Sequence, residues 1–355
     1  MSKEAIKTVG FIGTGLMGFP IASKFLDHNL SLVVYNRTKS KAEELLKRGA
    51  LWAESPEEVC KQADIVFTML GFPEDVEDVY LGDKGLLSAV HAGQYLIDLT
   101  TSDAELAHGL YEAAAIKDVH FIDGPVTGGV EGAEAGSLTI MLGASEETVA
   151  PILTIIEMFS AKQLYFDEAG QGMRAKACNQ IALGAAMMGM AESLAFAEQA
   201  GLDSKKIYEL LMSGTAASSA IEKLGSKALA EDFKPGFYVE HFLKDLGLAL
   251  NDAMNLELSL PGTETVYHLY DLLENLGGSK HGTQAIKLLY APEDIAEKHG
   301  LDYKLLGEEF DGQFEDEHDH DHNHDHHHDH HHEHDESSSL KDYPYFSDDD
   351  FYSNN

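Results

Sequence analysis

One lysine near the start of a long apolar helix is the residue best suited to acid–base chemistry. Lys176 lies in the segment Gly170–Gln180, GQGMRAKACNQ, and Asn179 follows it by one helical turn. Burying a charged amine costs free energy unless the amine has a partner or its pKa shifts. A buried Lys176 could therefore take up or release a proton at a bound molecule. The competing interpretation is the commoner one for lysine, a side chain whose amine reaches water.

A glycine-rich loop near the N-terminus indicates what that lysine could work beside. The loop directly follows a strand-like run, Thr8–Ile12, and opens a helical run. Glycines let the chain turn tightly and approach a pyrophosphate, and the first N–H groups of the helix then face the anion. We therefore predict a dinucleotide site at the loop residues Gly13, Thr14, Gly15, Leu16, Met17 and Gly18.

The end of the second predicted strand bears on the choice of cofactor. Sites that prefer NAD usually carry Asp or Glu there, to accept from the ribose 2′-hydroxyl. This chain has Asn36, Arg37 and Thr38 instead. Asn36 can bond a ribose without a charge, while Arg37 and Thr38 could hold a 2′-phosphate. The pattern favours NADP(H) over NAD(H), although Arg37 as a solvated loop residue is the alternative.

The pattern of elements predicts the fold class, an α/β Rossmann domain with a mostly parallel sheet followed by an all-α domain. Short Val/Ile/Leu-rich runs alternate with amphipathic segments as far as Phe166, and only helical patterns follow, the first of them over Lys176–Ala200. Strands that alternate with helices imply βαβ units. We predict a Rossmann domain over 1–167, a helical domain over 168–307 and a disordered acidic, His-rich tail over 308–355.

Charge and cysteine content limit the partners. The net charge is −36, of which −16 falls between Glu308 and Asn355 and −20 on the rest. Such a surface repels nucleic acid and anionic membranes, and we expect no membrane span because no run of about 18 apolar residues is evident. The two cysteines, Cys60 and Cys178, and the absence of an apolar leader at the N-terminus favour a cytoplasmic protein.

Four motifs together resemble the β-hydroxyacid dehydrogenase family, the group of 3-hydroxyisobutyrate dehydrogenase and tartronate semialdehyde reductase. They are Gly13–Ala22 (GTGLMGFPIA), Asp123–Gly129 (DGPVTGG), Gly170–Gln180 and Lys244–Ala249 (KDLGLA). The second motif also suits a carboxylate on its own chemistry, because Thr127, Gly128 and Gly129 offer a hydroxyl and close N–H groups. The resemblance covers residues 8 to about 290 and implies a Rossmann domain joined by a long helix to a helical domain, as dimers or tetramers.

The resemblance also implies roles for individual residues. Lys176 would exchange a proton with the oxygen of a small β-hydroxy acid or its semialdehyde as hydride moves to or from the nicotinamide. The substrate would be held by Asn179, Lys244, Thr127, Gly128 and Gly129, and the nicotinamide side would be lined by Met69, Leu70, Thr101 and Lys244. A lysine base needs a lowered pKa, and Arg174 and Lys244 are candidate cationic neighbours. Ser279–Ile286 lacks the Asp-Phe-Ser or Asp-Trp-Ser that many relatives carry.

The tail supports a second hypothesis, metal buffering or delivery on a Rossmann scaffold. Imidazoles bind Zn²⁺ and Ni²⁺, and interleaved carboxylates strengthen the attraction. Adventitious binding by a solvated charge run is the alternative, and no catalytic role for the metal is implied. The candidate ligands are His318, His320, His322, His324, His326, His327, His328, His330, His331, His332 and His334.

Overall fold

Nine strands form two sheets within residues 6–305, the part of the chain that the computed structural model describes. They are β1 (Thr8–Ile12), β2 (Ser31–Tyr35), β3 (Leu51–Trp52), β4 (Ile65–Thr68), β5 (Tyr95–Asp98), β6 (His120–Asp123), β7 (Val126–Thr127), β8 (Leu138–Leu142) and β9 (Ser160–Tyr165). The six-stranded sheet has the order β3-β2-β1-β4-β5-β6 and is parallel throughout. That is the order of a doubly wound dinucleotide-binding fold, so the predicted fold class is confirmed.

The second sheet, β7-β8-β9, adds the one antiparallel pair found among the described strands, β7 with β8. Neither β7 nor β3 was expected, because two residues are too short to give a periodic pattern. β7 matters for the site, since it contains Thr127 of the predicted substrate loop. Both faces of the large sheet are covered by apolar side chains, Phe25 and Phe67 on one and Tyr80 and Phe121 on the other.

The other regular elements of the described chain are helices, and no strand of either sheet follows β9 within it. The α-helices are α1 (Gly18–Asp27), α2 (Glu43–Lys47), α3 (Pro56–Gln62), α4 (Pro73–Leu81), α5 (Ala104–Ala115), α6 (Gly129–Ala135), α7 (Glu146–Val149), α8 (Leu153–Ile156), α9 (Gln171–Gln199), α10 (Ser204–Ser213), α11 (Ser226–Leu229), α12 (Val239–Asn255), α13 (Pro261–Asn275) and α14 (Glu293–Lys298). Short 3₁₀ or π-helical turns lie at Lys39–Ala42, Leu86–Ser88, Ile221–Gly225, Gly278–Lys280 and Thr283–Tyr290.

The 29-residue helix α9 joins the two domains. It packs against β8 and α5 on one side and against α12 and α13 on the other. Its richest 18-residue window has a mean hydropathy of 1.3, so by length and composition alone it could cross a membrane, contrary to the expectation that no such stretch exists. Lys176 and Gln180 are buried on it, which is the environment of a core helix between two domains.

Candidate active site

A cleft of about 1380 Å³ opens at the carboxyl ends of the parallel strands. The loops after β1, β2 and β4 form one wall, and residues from Gly236 to Asp245, at the start of α12, form part of the other. Carboxyl ends of parallel strands are where doubly wound folds bind ligands. The cleft is bordered by every residue predicted to bind the cofactor, namely Gly13, Thr14, Gly15, Leu16, Met17, Gly18, Asn36, Arg37, Thr38, Met69, Leu70, Thr101 and Lys244.

The three glycines of the loop after β1 differ in what surrounds them. Gly13 has φ +94°, and a Cβ added there would lie 2.1 Å from the Met69 carbonyl oxygen. A Cβ on Gly18 would lie 1.8 Å from the Gly13 carbonyl oxygen, whereas one on Gly15 would meet nothing within 4 Å. Gly13 and Gly18 are therefore required by the fold. Gly15 leaves open space beside the start of α1, whose N-terminus has no side-chain cap and suits a phosphate.

This contrast predicts separable effects of two substitutions. Gly15→Ala is expected to leave the melting temperature of the free protein unchanged but to weaken dinucleotide binding about tenfold to 100-fold, because a methyl group would occupy the space the pyrophosphate needs. Gly13→Ala is expected to lower the melting temperature, since both its φ and its contact with Met69 oppose a side chain. Thermal unfolding and cofactor titration of both variants test the assignment, and unchanged affinity in Gly15→Ala would contradict it.

The residues after β2 form a polar corner of the cleft. Asn36 Oδ1 accepts from the Thr14 N–H at 3.0 Å, and Asn36 Nδ2 donates to the Thr38 carbonyl at 2.8 Å. Asn36 thus fastens the glycine loop to the β2 turn, and its contact with a ribose stays a prediction. The Arg37 side chain is 87% exposed and pairs with Asp75 at 3.1 Å. Lys41, which the sequence analysis did not single out, borders the same corner.

A buried carboxyl supports the wall that leads to Thr101. Asp98 Oδ1 accepts from Thr68 Oγ1 at 2.7 Å and from the Thr100 N–H at 3.1 Å. Burial raises the pKa of Asp98 to about 6, opposed by these hydrogen bonds. Thr100 Oγ1 in turn accepts from the Leu70 N–H at 2.9 Å. The network ties the ends of β4 and β5 together. This network was not predicted, because Asp98 has the pattern of an ordinary strand end.

Lys176 is buried on α9, with 7% of the residue exposed. Its Nζ donates to the Val126 carbonyl oxygen at 3.0 Å. Loss of hydration lowers the pKa of Lys176 to about 8; Asp245 opposes the shift and Lys244 adds to it. A surface position for the amine is therefore excluded. The predicted influence of Arg174 is wrong, because that guanidinium is held on Asp252 by two of its nitrogens.

The predicted substrate loop lies directly beside this lysine. Val126, whose carbonyl holds Nζ, immediately precedes Thr127. Thr127 is half-buried, and Gly128 and Gly129 are exposed with φ of 130° and 65°. The residues that border the cleft do not include this loop, Lys176 or Asn179.

Two adjacent residues of α12 connect the cleft to the lysine helix. Lys244 donates to the Thr101 carbonyl oxygen and pairs with Asp245 Oδ1 at 2.8 Å. Asp245, whose side chain is 1% exposed, borders the cleft and accepts on Oδ2 from Gln180 Nε2 at 2.7 Å. Gln180 then accepts from Asn179 Nδ2 at 2.7 Å. Asp245 and Gln180 were missed as functional residues, although both stand inside motifs that carry the resemblance.

Comparisons with known proteins agree over both domains. Residues 8–167 match the NAD binding domain of 6-phosphogluconate dehydrogenase, and residues 170–289 match the NAD-binding domain of NADP-dependent 3-hydroxyisobutyrate dehydrogenase. The chain belongs to the β-hydroxyacid dehydrogenase family. A probable 3-hydroxyisobutyrate dehydrogenase-like 1, mitochondrial, of Arabidopsis thaliana is 41% identical over 79% of this chain and 84% of its own length.

Two solved structures are similar over the whole dehydrogenase. Psf3 in complex with NADP⁺ and 2-OPP has a TM-score of 0.75 and 29% identity, covering 80% of this chain and 100% of its own. Mycobacterium tuberculosis 3-hydroxyisobutyrate dehydrogenase with L-serine has a TM-score of 0.74 and 25% identity, covering 81% of this chain and 100% of its own. This hydroxyacid dehydrogenase therefore acts on a CH–OH donor with a nicotinamide dinucleotide.

One further residue of the dehydrogenase sets the position of the lysine helix. Asp123, the last residue of β6, accepts from the Gly170 N–H on Oδ1 at 2.9 Å and from the Met173 N–H on Oδ2 at 3.0 Å. It therefore caps the N-terminus of α9 from the other domain. Burial raises the pKa of Asp123, against the effect of these N–H groups. Its motif was recognised in the sequence, but this role was not.

Ser279–Ile286, the segment that lacks the acid implied by the resemblance, has a structural part in this dehydrogenase. Gln284 is buried and donates from Nε2 to the Asp232 and Lys234 carbonyls at 2.8 and 3.1 Å. Lys280 pairs with Glu240, and both border the cleft. The residues around Gln284 thus hold the segment that precedes α12. The predicted tail ligands, His318–His334, lie outside the described residues.

Proposed function

We propose that this dehydrogenase interconverts a small β-hydroxy acid and its semialdehyde, with Lys176 as the proton donor and acceptor and NADP(H) as the preferred cofactor. The observation that carries the proposal is the buried amine of Lys176, whose pKa is about 8. This amine donates to the carbonyl of Val126, the residue that immediately precedes Thr127. The open space at Gly15 and the uncapped start of α1 fit a dinucleotide pyrophosphate. When bound, the nicotinamide supplies or accepts the hydride.

The chain's own residues account for the remaining steps. Thr127 Oγ1 and the N–H groups of Gly128 and Gly129 bind the substrate carboxylate. In reduction, Lys176 Nζ gives a proton to the carbonyl oxygen as negative charge develops there, and in oxidation the neutral amine takes the hydroxyl proton. The deep position of Lys176 excludes water from this transfer. Asn179, one helical turn away, orients the substrate.

The pKa of Lys176 sets opposite pH dependences for the two directions. Reduction needs the ammonium, so its kcat/KM is expected to be level below pH 8 and to fall about tenfold per unit above the pKa of about 8. Oxidation needs the neutral amine and is expected to rise with pH and level off above that pKa. Initial rates in both directions from pH 6 to about 10 test this. A reduction profile that stays level to pH 10 would contradict a role for Lys176 as the acid.

The preference for NADP(H) is supported by the cations at the β2 corner. Arg37→Gln is expected to weaken NADPH binding about fivefold to 100-fold with little change for NADH, because a charge-assisted bond to the 2′-phosphate is lost. Lys39→Gln is the control, since Lys39 is a neighbouring exposed cation that pairs with Glu54 and does not border the cleft. Equal affinity of the parent for NADPH and NADH would overturn the preference.

Three further proposals concern the oligomeric state, the location and the metal binding of the protein. We propose a homo-oligomer, because the helical domain exposes large apolar side chains such as Phe196 (73%) and Met254 (75%), and light scattering tests it. The cytoplasmic location stays a proposal, supported by the free thiols of Cys60 and Cys178. Zn²⁺ or Ni²⁺ binding by the tail is proposed from its composition alone. Metal delivery as the main function is not favoured, because the dehydrogenase motifs are intact.

One experiment tests the proposed reaction and the tail together. NADPH and NADH oxidation is measured with a panel of small semialdehydes, using the full chain and a chain that lacks 311–355. We expect turnover with at least one semialdehyde in both proteins, and tight Zn²⁺ or Ni²⁺ binding in the full chain alone. Absence of turnover across the panel would refute the proposed substrate class.

A further inference from the structure

Four polar side chains form a continuous chain behind the site: Lys244, Asp245, Gln180 and Asn179. Lys244 Nζ lies 2.8 Å from Asp245 Oδ1, and Asp245 Oδ2 lies 2.7 Å from Gln180 Nε2. Asn179 Nδ2 lies 2.7 Å from Gln180 Oε1. Gln180 is 1% exposed and Asp245 is 2% exposed. Because water has almost no access to either residue, Gln180 must satisfy its amide on Asp245 and Asn179, while Asp245 Oδ1 makes an ion pair with Lys244 but no hydrogen bond.

The chemistry of this chain leaves only one orientation for its two amides. An ion-paired carboxylate accepts hydrogen bonds and donates none, so the amide nitrogen of Gln180 must face Asp245. The amide oxygen of Gln180 must then face Asn179, which can only meet it with its own nitrogen. Gln180 therefore bonds the nitrogen of the Asn179 amide and does not bond its oxygen, Oδ1. Asn179 follows Lys176 at the i, i+3 spacing that makes helical side chains neighbours.

We propose that Gln180 is a positioning residue that fixes the amide orientation of Asn179, so that Oδ1 meets the substrate hydroxyl or the Lys176 ammonium. Both are donors, and only an oxygen can accept from them. A reversed amide would set its N–H groups against those donors. The inference rests on the proposed function, because it assigns Gln180 to the site in which Lys176 and Asn179 act.

The orientation can be reversed and restored by substitution. In Asp245→Asn, Lys244 keeps the oxygen of the introduced amide, so the nitrogen of that amide faces Gln180. The Gln180 amide must then rotate so that its oxygen faces that nitrogen. Its own nitrogen now faces Asn179, so the Asn179 amide must rotate as well. Adding Gln180→Glu corrects this, because a carboxylate accepts both from the amide nitrogen introduced at position 245 and from the Asn179 nitrogen. The double variant has the charge of the parent, moved by one residue along the chain of side chains.

The decisive measurement is kcat/KM with a semialdehyde that the parent reduces. Asp245→Asn is expected to lose about tenfold to 100-fold, the cost of opposing a buried polar pair, and Asp245→Asn with Gln180→Glu is expected to recover about tenfold or more of that loss. Gln180→Met, which leaves Asp245 intact, is expected to lower kcat/KM while the apparent pKa of Lys176 from the pH profile stays near the parent's. This arm separates orientation of Asn179 from an effect of the Asp245 charge.

Gln94→Met is the matched control for loss of a buried glutamine. Gln94 is 0% exposed and bonds the Cys60 and Ala63 carbonyls, far from the site in the fold. Its variant is expected to lose thermal stability without loss of kcat/KM. A Gln180→Met variant with unchanged kcat/KM, or a double variant no better than Asp245→Asn, would overturn the inference. Failure of the proposed function is distinct, since the parent itself would then show no turnover, and cofactor titration reports whether each variant is folded.

Discussion

Lys176→Met is expected to lower turnover by about 10³-fold or more while leaving cofactor affinity nearly unchanged. The same substitution is expected to raise the free energy of unfolding at pH 7. Burial lowers the pKa of Lys176 from 10.5 to about 8, so below pH 8 the folded state carries a cation that the unfolded state holds more easily. Each pH unit between the two pKa values is worth about 1.4 kcal/mol, so the buried charge opposes folding by about 3 kcal/mol.

The pH dependence of that stability gain gives an independent check. Between pH 8 and 10.5 the unfolded state binds the proton and the folded state does not, so the parent gains stability as the pH rises. The advantage of Lys176→Met should therefore be largest below pH 8 and shrink toward pH 10.5. Urea unfolding at several pH values measures it, with Lys205→Met, an exposed lysine on α10, as the control. A variant less stable than the parent at pH 7 would contradict the pKa argument.

Asp123→Asn is expected to have the second largest effect. Each oxygen of Asp123 accepts from one N–H at the start of α9, so an asparagine must set its own N–H groups against one of them. We expect a loss of about 1–3 kcal/mol in the free energy of unfolding. We also expect kcat/KM to fall about tenfold to 100-fold, because a small displacement of α9 moves Lys176 relative to the nicotinamide.

A second helix cap provides the control for Asp123→Asn. Asp203 caps α10 by accepting two N–H groups, from Lys205 and Lys206, on the same oxygen Oδ1. Asparagine keeps that oxygen, so Asp203→Asn should change neither stability nor kcat/KM appreciably. Thermal unfolding and kinetics of the two variants can be compared directly. Equal behaviour of both would mean that Asp123 does not position α9.

The sequence predicted those features that depend on local pattern. The predicted run Thr8–Ile12 agrees with β1 to the residue, because a continuous apolar run between turns identifies a buried strand. The burial of Lys176 was also anticipated, since its neighbours on the helix are apolar. Features decided by distant partners were not predictable. Asp123 bonds residues 47 and 50 positions away, and Gln180 bonds a residue 65 positions away.

The error about Arg174 has the same origin. Proximity along α9 suggested that its charge would act on Lys176, but the guanidinium is bound by Asp252 of α12, 78 positions away. Lys244, the other candidate, does lower the pKa of Lys176. Residue types and spacing thus gave the kind of chemistry, whereas the packing of α9 against α12 decides which charges take part.

The cap of α9 has a consequence for building chimeric enzymes. A graft of a foreign helical domain at the junction between Tyr165 and Gln171 would bring in α9 but leave its cap behind in β6. A Cβ at Gly143 would lie 2.0 Å from Asp123 Oδ1, and one at Gly172 would lie 2.8 Å from Oδ2. Gly143 precedes the crossover and Gly172 follows it, so each parent of the chimera must supply its own glycine. Exchange of domains between relatives should preserve the lysine's position only where Asp123, Gly143 and Gly172 are matched as a set.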